Sequence, residues 1–123
     1  MHNNTELYDA FGELIYVLAM ADGKIQDEER ATLEHILQSH PWSREILWSF
    51  NYESSKNNDV EDTYQKVLQT CFEIGPNPEY ELMFEVLEAV AKSSIVLDEQ
   101  EKAVIDRFRK DLLTEFNRRH ESK

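Results

Sequence analysis

The chain is poor in the residues that build tight turns and crosslinks, with three glycines, three prolines and a single cysteine, Cys71, among its 123 residues. So few turn-forming residues leave little material for a β fold with many reverse turns. No segment alternates polar and apolar side chains over the length of a strand. One cysteine cannot form an internal disulfide, which is typical of an intracellular protein. These absences predict an all-α protein.

Long apolar runs are absent as well. The longest runs from Leu14 to Ala21 and has eight residues, whereas a membrane-spanning helix needs roughly 20. The N-terminal residues Met1 to Thr5 are polar and lack the basic cluster that opens a secretory signal. We therefore expect no direct membrane insertion and a cytoplasmic location.

Basic residues are outnumbered, since 13 lysines and arginines stand against 25 aspartates and glutamates, for a net charge of −12. Recognition of phosphate groups needs a basic surface, so this balance argues against a nucleic-acid partner. A strongly acidic surface favours a basic protein partner through charge steering. The alternative is that the charge only keeps the protein soluble.

Apolar residues recur at helical spacing in six segments, separated by polar or proline-containing stretches. The segment 53–58 has no apolar period and predicts the loop between two halves, about 5–52 and 59–117. With 41% hydrophobic residues the chain can close one core. The sequence therefore predicts a compact single domain over 1–123, a bundle of about six to seven helices. Six of them cover about 5–21, 27–39, 43–52, 60–74, 78–91 and 98–117.

Four helix ends carry specific signals. Asn58 or Asp59 can cap the fourth helix. Gly75, followed directly by a proline, should end that helix. Asn77 precedes a proline and a glutamate, the order expected at the start of the fifth helix. Thr5 is the candidate cap of the first helix.

A cluster of carboxylates surrounds the turn between the first two helices. Asp22, Asp27, Glu28 and Glu29 lie within eight residues, and Gly23 can adopt the positive φ that a sharp turn needs. Such a turn could bring the carboxylates together around a divalent cation such as Ca²⁺ or Mg²⁺. Acidic residues at the start of a helix are also favoured by the helix dipole, with no ligand at all. Both interpretations remain open.

The same turn resembles half of an EF-hand loop. With Gly23 at the sixth loop position, Asp22 and Glu29 fall on the fifth and twelfth ligand positions. Leu18 and Met20 fall on the first and third and offer no side-chain oxygen. A high-affinity calcium site is therefore not expected, and any cation should bind weakly through Asp22 and Glu29.

The segment from Leu14 to Glu29 and the helix after it form a longer pattern. An apolar helix ends in Ala-Asp-Gly, a hydrophobic residue follows two positions on, and an Asp-Glu-Glu run opens a second apolar helix with Leu33, Ile36 and Leu37. This pattern is similar to the tellurite-resistance TerB-like family, which includes the N-terminal domain of a membrane-anchored DnaJ-type co-chaperone. The match covers roughly the first third of the chain and, more faintly, the last third. The resemblance implies an all-helical domain of two pseudo-repeats, with metal at each inter-helix turn.

A degraded repeat is visible at a spacing of 71 residues. It aligns Asp98-Glu99 with Asp27-Glu28, Val96 with Ile25, Val104 with Leu33 and Phe108 with Leu37. At the ligand positions, however, Ser93 and Ser94 replace Asp22 and Gly23, and Gln100 replaces Glu29. Any metal site should therefore lie in the first repeat.

The third predicted helix carries two aromatic groups that do not share a face. At 100° per residue Trp42, Ile46 and Phe50 fall together, while Trp48 and Tyr52 project on roughly the opposite side. One interpretation is a helix packed between neighbours that buries both faces. The other is an exposed aromatic anchor, Trp48 with Tyr52, for a partner protein. We expect at least partial exposure of Trp48.

No serine lies in a Gly-x-Ser-x-Gly elbow, and no glycine-rich loop could hold phosphates. The sequence therefore favours a non-enzymatic interaction module, and the TerB-like resemblance implies a role in stress response. Alternatives are a metal-dependent enzyme that uses the carboxylates of the 21–29 turn, or a structural domain without a ligand that binds other proteins. Self-association into a homo-oligomer stays open.

Overall fold

A computed structural model describes residues 4–21, 27–38, 43–56, 58–75, 77, 79–92 and 99–121, without the side chains of residues 4, 29 and 119–121. Helices account for almost all of these ranges, which contain no strand, and this confirms the predicted all-α bundle. No helix in them is both long and apolar enough to cross a bilayer. The helices are α1 (Asn4–Ala19), α2 (Asp27–Leu37), α3 (Ser43–Lys56), α4 (Val60–Ile74), α5 (Glu79–Lys92) and α6 (Glu99–Glu121).

Helix α1 is the centre of the bundle. Every residue from Ala10 to Ala19 is buried, and α1 contacts α3, α4, α5 and α6. A single apolar stripe does not describe it, because Ile15 and Tyr16, which lie off the stripe of Leu14 and Leu18, are buried too. A helix that is apolar all round is expected to be enclosed by its neighbours.

Both ends of α1 differ slightly from prediction. Thr5 lies inside the helix, which begins at Asn4, and so Thr5 is not its cap. At the other end Met20 and Ala21 form a turn, with the N–H of Ala21 donating to the carbonyl of Leu18 at 3.1 Å. Such a bond three residues back is a common way to tighten the last turn of a helix.

The closest approach of α1 to α3 occurs at Gly12. A Cβ on this residue would overlap the carbonyl oxygen of Ile46 and would lie 2.6 Å from the Cβ of Ser49. One turn earlier, the Ser49 hydroxyl donates to the carbonyl of Asp9 at 2.6 Å. Gly12 therefore serves the packing of two helices, although a glycine inside a helix is intrinsically unfavourable.

Helix α3 is longer than predicted and continues to Lys56, so the loop predicted over 53–58 is wrong for residues 53–56. Two serines there bond within the helix, since Ser54 donates to the carbonyl of Phe50 and Ser55 to that of Tyr52, each at 2.9 Å. Glu53 continues the buried face although it is charged, with 3% of its surface exposed. A pattern of apolar residues cannot reveal a helical turn whose buried residue is a glutamate.

The caps of α4 and α5 confirm the helix-end predictions. An Asp59 carboxylate oxygen accepts a hydrogen bond from the N–H of Asp62 at 2.9 Å, which makes Asp59 the N-cap of α4. Gly75 ends that helix with φ of 83°, and its N–H donates to the carbonyl of Cys71 at 2.9 Å. The side-chain oxygen of Asn77 accepts from the N–H of Glu79, also at 2.9 Å.

Buried tyrosines connect the helices through their hydroxyl groups. Tyr64 of α4 donates to a carboxylate oxygen of Asp111 of α6 at 2.6 Å. The Arg107 guanidinium lies 4.0 Å from the centre of the Tyr64 ring and forms two hydrogen bonds to Glu61, at 2.9 and 2.8 Å. Burial, the hydrogen bond to Asp111 and its charge raise the pKa of Tyr64. The neutral phenol therefore holds α4 against α6 at physiological pH.

Candidate partner-binding site

The outer face of α3 carries two exposed aromatic side chains. Trp48 is 61% exposed and Tyr52 is 44% exposed. Their rings stack with 5.3 Å between centroids and an interplanar angle of 19°. The ammonium group of Lys56 lies 5.6 Å from the centre of the Tyr52 ring. The exposure expected for Trp48 is confirmed, and the alternative in which α3 buries both faces is wrong for Trp48 and Tyr52.

The periodicity of α3 explains why these two residues face outward. Ile46, Ser49, Phe50 and Glu53 are buried, and Gly12 lets this side of α3 lie close against α1. At 100° per residue the opposite side carries every fourth residue from Arg44 onward. We call this row, Arg44, Trp48, Tyr52 and Lys56, the α3 stripe. Trp42, which was predicted to share the buried face, lies outside the described residues.

Three large hydrophobic residues are exposed in the part of the chain that the structure describes: Trp48, Tyr52 and Leu113. Leu113 lies on α6, 54% exposed, and a single exposed leucine is ordinary. Two adjacent aromatic rings form a contiguous apolar patch, which is less common on a monomer and typical of interaction sites.

Arg30 of α2 borders the α3 stripe. Its guanidinium donates to the side-chain oxygen of Asn51 at 2.8 Å and lies 5.1 Å from the centre of the Phe50 ring. Arg44 and Lys56 are exposed at the two ends of the stripe, and Glu45 is partly exposed beside Arg44. The aromatic pair thus lies between two exposed cations of its own helix.

Behind α3, two buried glutamates share one lysine. The ammonium of Lys66 in α4 lies 2.7 Å from Glu13 of α1 and 4.0 Å from Glu53 of α3. The side-chain amide of Asn58 also donates to Glu53. Burial raises the pKa of Glu13 in spite of Lys66, and burial is also the largest cause of the raised pKa of Asp9 nearby. We name Glu13 and Glu53, together with the partly buried Asp9 and the exposed Lys66, the buried carboxylate cluster.

A cavity of about 210 Å³ adjoins this cluster at the α3–α4 junction. Its walls are polar, because Glu53, Asn58, Asp59, Asp62, Thr63 and Lys66 line it. Asp59 and Thr63 are already engaged, the first in capping α4 and the second in donating its hydroxyl to the Asp59 carbonyl at 2.8 Å. The exposed Lys66 side chain brings its ammonium to both buried glutamates and offsets their charge, so this arrangement stabilises helix packing.

The sequence pattern missed the buried carboxylate cluster. A signal existed in Glu13, a charged residue between Gly12 and the longest apolar run of the chain. Charged side chains are almost never fully buried without a partner, so a partner for Glu13 could have been expected. That it is Lys66, far along the chain, depends on the tertiary fold.

The predicted cation site lies mostly outside the described residues. Asp27 and Glu28 are exposed in the first turn of α2, whereas Asp22, Gly23 and the side chain of Glu29 are not described. Within the described ranges no group of three or more His, Cys, Asp or Glu side chains is arranged to hold a metal ion. The weak cation site therefore stays a prediction from sequence.

Cys71 is fully buried in α4. Burial raises the pKa of its thiol to about 12. Nucleophilic and redox chemistry use the thiolate and need a lowered pKa. Cys71 is therefore a core residue.

No family model, curated protein or solved structure matches this chain. The resemblance to the TerB-like family stays a prediction that depends on the residues from Leu14 to Leu37 and, more faintly, on the last third of the chain.

Proposed function

We propose that this chain is a non-enzymatic interaction module that binds a partner protein through the α3 stripe. The observation that carries the proposal is the contrast within one helix. Phe50 is 2% exposed, whereas Trp48 is 61% exposed and stacks on Tyr52. Burial of Phe50 serves the fold, while the exposed pair has no comparable role in the core.

Trp48 and Tyr52 are well suited to bind a partner. Tryptophan and tyrosine are enriched among the residues that dominate binding energy at protein interfaces. Each presents a large apolar surface and one polar atom that can keep a hydrogen bond. Mutual stacking, and Lys56 against Tyr52, limits their rotamers before binding, which lowers the entropy lost on association.

The resemblance to TerB-like proteins supports a role for this module in stress response. A fold hosts many functions, so the partner has to be identified from the binding surface. The proposal therefore depends on Trp48 and Tyr52.

Affinity capture from the native host, with quantitative mass spectrometry, tests the proposal. The baits are the wild type, the double variant Trp48→Ala, Tyr52→Ala, and Leu113→Ala as a matched control. Leu113 is exposed to a similar degree but lies alone on α6. A partner that uses the stripe should be captured by the wild type and by Leu113→Ala. The amount recovered should fall at least tenfold with the double variant. Purified partner and bait should then reproduce this difference.

Equal recovery of every captured protein with the three baits would overturn the proposal. Sedimentation velocity of the same proteins measures whether the chain self-associates. If the wild type dimerises and the double variant does not, the partner is a second copy of the chain.

A further inference from the structure

The charged residues of the α3 stripe are opposite in sign to the net charge of the chain. Arg44 and Lys56 are exposed at its ends, and Arg30 reaches its edge through Asn51. The stripe has no carboxylate between these two cations. Both charged residues of the stripe are therefore basic, whereas the whole chain has 13 basic and 25 acidic residues.

Local charge outweighs net charge once a partner is in contact. The Debye length is about 8 Å at physiological ionic strength, so exposed charges farther away are largely screened. The net charge of −12 steers a partner before contact, most strongly at low ionic strength, and predicts a basic one. At the stripe itself, Arg44 and Lys56 are the charges that a bound segment would meet.

The order of residues along the stripe is also specific. Arg44, Trp48, Tyr52 and Lys56 follow one another at intervals of four residues, so a cation lies at each end of the aromatic pair. Twelve residues of α-helix span about 18 Å. A complementary segment would place an apolar side chain on the rings and carboxylates toward the ends.

We propose that the α3 stripe binds a peptide segment of a partner protein that is acidic and carries at least one large apolar side chain. The inference rests on the proposed function and names its partner class. Carboxylates of the segment pair with Arg44 and Lys56, while its apolar side chain packs on Trp48 and Tyr52. This replaces the basic partner that net charge alone favours.

Selection from a displayed library of random 12-residue peptides tests this inference. The library is selected on the wild-type protein and, in parallel, on Trp48→Ala, Tyr52→Ala, and only clones specific to the wild type are kept. We expect these clones to be rich in Asp and Glu and to contain Trp, Phe, Leu or Ile. Clones rich in Lys and Arg that still require the aromatic pair would overturn the inference and leave the proposed function intact. Absence of wild-type-specific clones would contradict both.

Variants with reversed charges distinguish the effect of the stripe's own charges from the effect of the net charge of the chain. Binding of an acidic clone should weaken at least tenfold in Arg44→Glu, Lys56→Glu. The control is Lys102→Glu, Lys110→Glu, which makes the same change in net charge at exposed positions of α6 and should change binding less than threefold. An equal loss in both variants would show that the clone senses only overall charge, and the inference would fail.

Discussion

At the scale of single residues, Gly12 tests the packing of α1 on α3. Replacement by alanine improves helix propensity by about 1 kcal/mol. The added Cβ would lie 2.6 Å from the Cβ of Ser49 and 2.9 Å from the backbone nitrogen of Phe50. Overpacking of this kind costs about 1–3 kcal/mol or more, and backbone atoms cannot yield unless a helix moves. We expect Gly12→Ala to lower the free energy of unfolding in urea by about 1–2 kcal/mol.

The matched control for Gly12 is Ala31→Gly at an exposed position of α2. It measures helix propensity without packing and should cost about 1 kcal/mol. A Gly12→Ala variant more stable than the wild type would show that the helices can separate there at little cost.

Glu13 should make stability depend on pH in an unusual direction. Burial raises the pKa of Glu13 above the ordinary 4.5 despite the hydrogen bond from Lys66. The folded protein therefore binds this proton more readily than the unfolded chain. Protonation of Glu13 therefore favours the folded state. Its contribution to the free energy of unfolding is fully present below pH 4.5 and is lost as pH rises through the raised pKa. The free energy of unfolding should increase as pH falls from 7.5 toward about 5.

Relief of net negative charge acts in the same direction, so variants are needed to isolate Glu13. Glu13→Gln should flatten the pH dependence, whereas Glu85→Gln, at an exposed position of α5, should keep it. Below this pH range Glu61 has the opposite effect on stability. The hydrogen bond from Arg107 lowers the pKa of Glu61 to about 2, so the free energy of unfolding that Glu61 contributes is lost as pH falls. Urea melts of the three proteins at pH 5 and 7.5 give the comparison, and identical slopes would rule out a role for Glu13.

At the scale of helices, the cap of α4 gives a simple test. Asp59 accepts the hydrogen bond from the N–H of Asp62, and removal of such a cap costs about 1 kcal/mol. We expect Asp59→Ala to lose about this amount in urea denaturation, and Asp59→Asn to stay close to the wild type because it keeps the acceptor. Equal losses would assign the effect to the charge of Asp59.

The two faces of α3 should respond differently to truncation. Phe50→Ala removes a buried ring and should cost about 3–5 kcal/mol. Trp48→Ala, Tyr52→Ala removes the stacked pair from the surface and should cost less than about 1.5 kcal/mol, the upper value for one aromatic pair. Thermal and urea melts measure both. A loss from the double variant as large as that from Phe50→Ala would make the pair part of the folding core.

Comparison of α3 and α4 shows which elements could be predicted from sequence. For α4, the cap Asp59 and the stop Gly75 are local signals, and both were predicted. For α3, the end was placed too early because Glu53 occupies a buried position. The exposure of Trp48 could be expected because it lies opposite Phe50. Its neighbour from α2, Arg30, could not, since that contact depends on how α2 lies beside α3.

At the scale of the whole molecule, acidic and basic side chains are distributed unevenly. The chain carries a net charge of −12, yet cations border the aromatic pair of α3. Helix α3 packs closely against α1 on its buried side, through Ile46 and Phe50 at Gly12. A packed helix with its aromatic side chains already stacked is a preorganised surface for a partner.

Hydroxyl-radical footprinting of the chain, alone and with its captured partner, tests the central claim most directly. Radicals modify side chains in proportion to their exposure, so Trp48, Tyr52 and Leu113 are all reactive in the free protein. In the complex we predict that modification of Trp48 and Tyr52 falls at least fivefold while that of Leu113 is unchanged. Unchanged modification of Trp48 and Tyr52 in a complex that protects another surface would contradict the account.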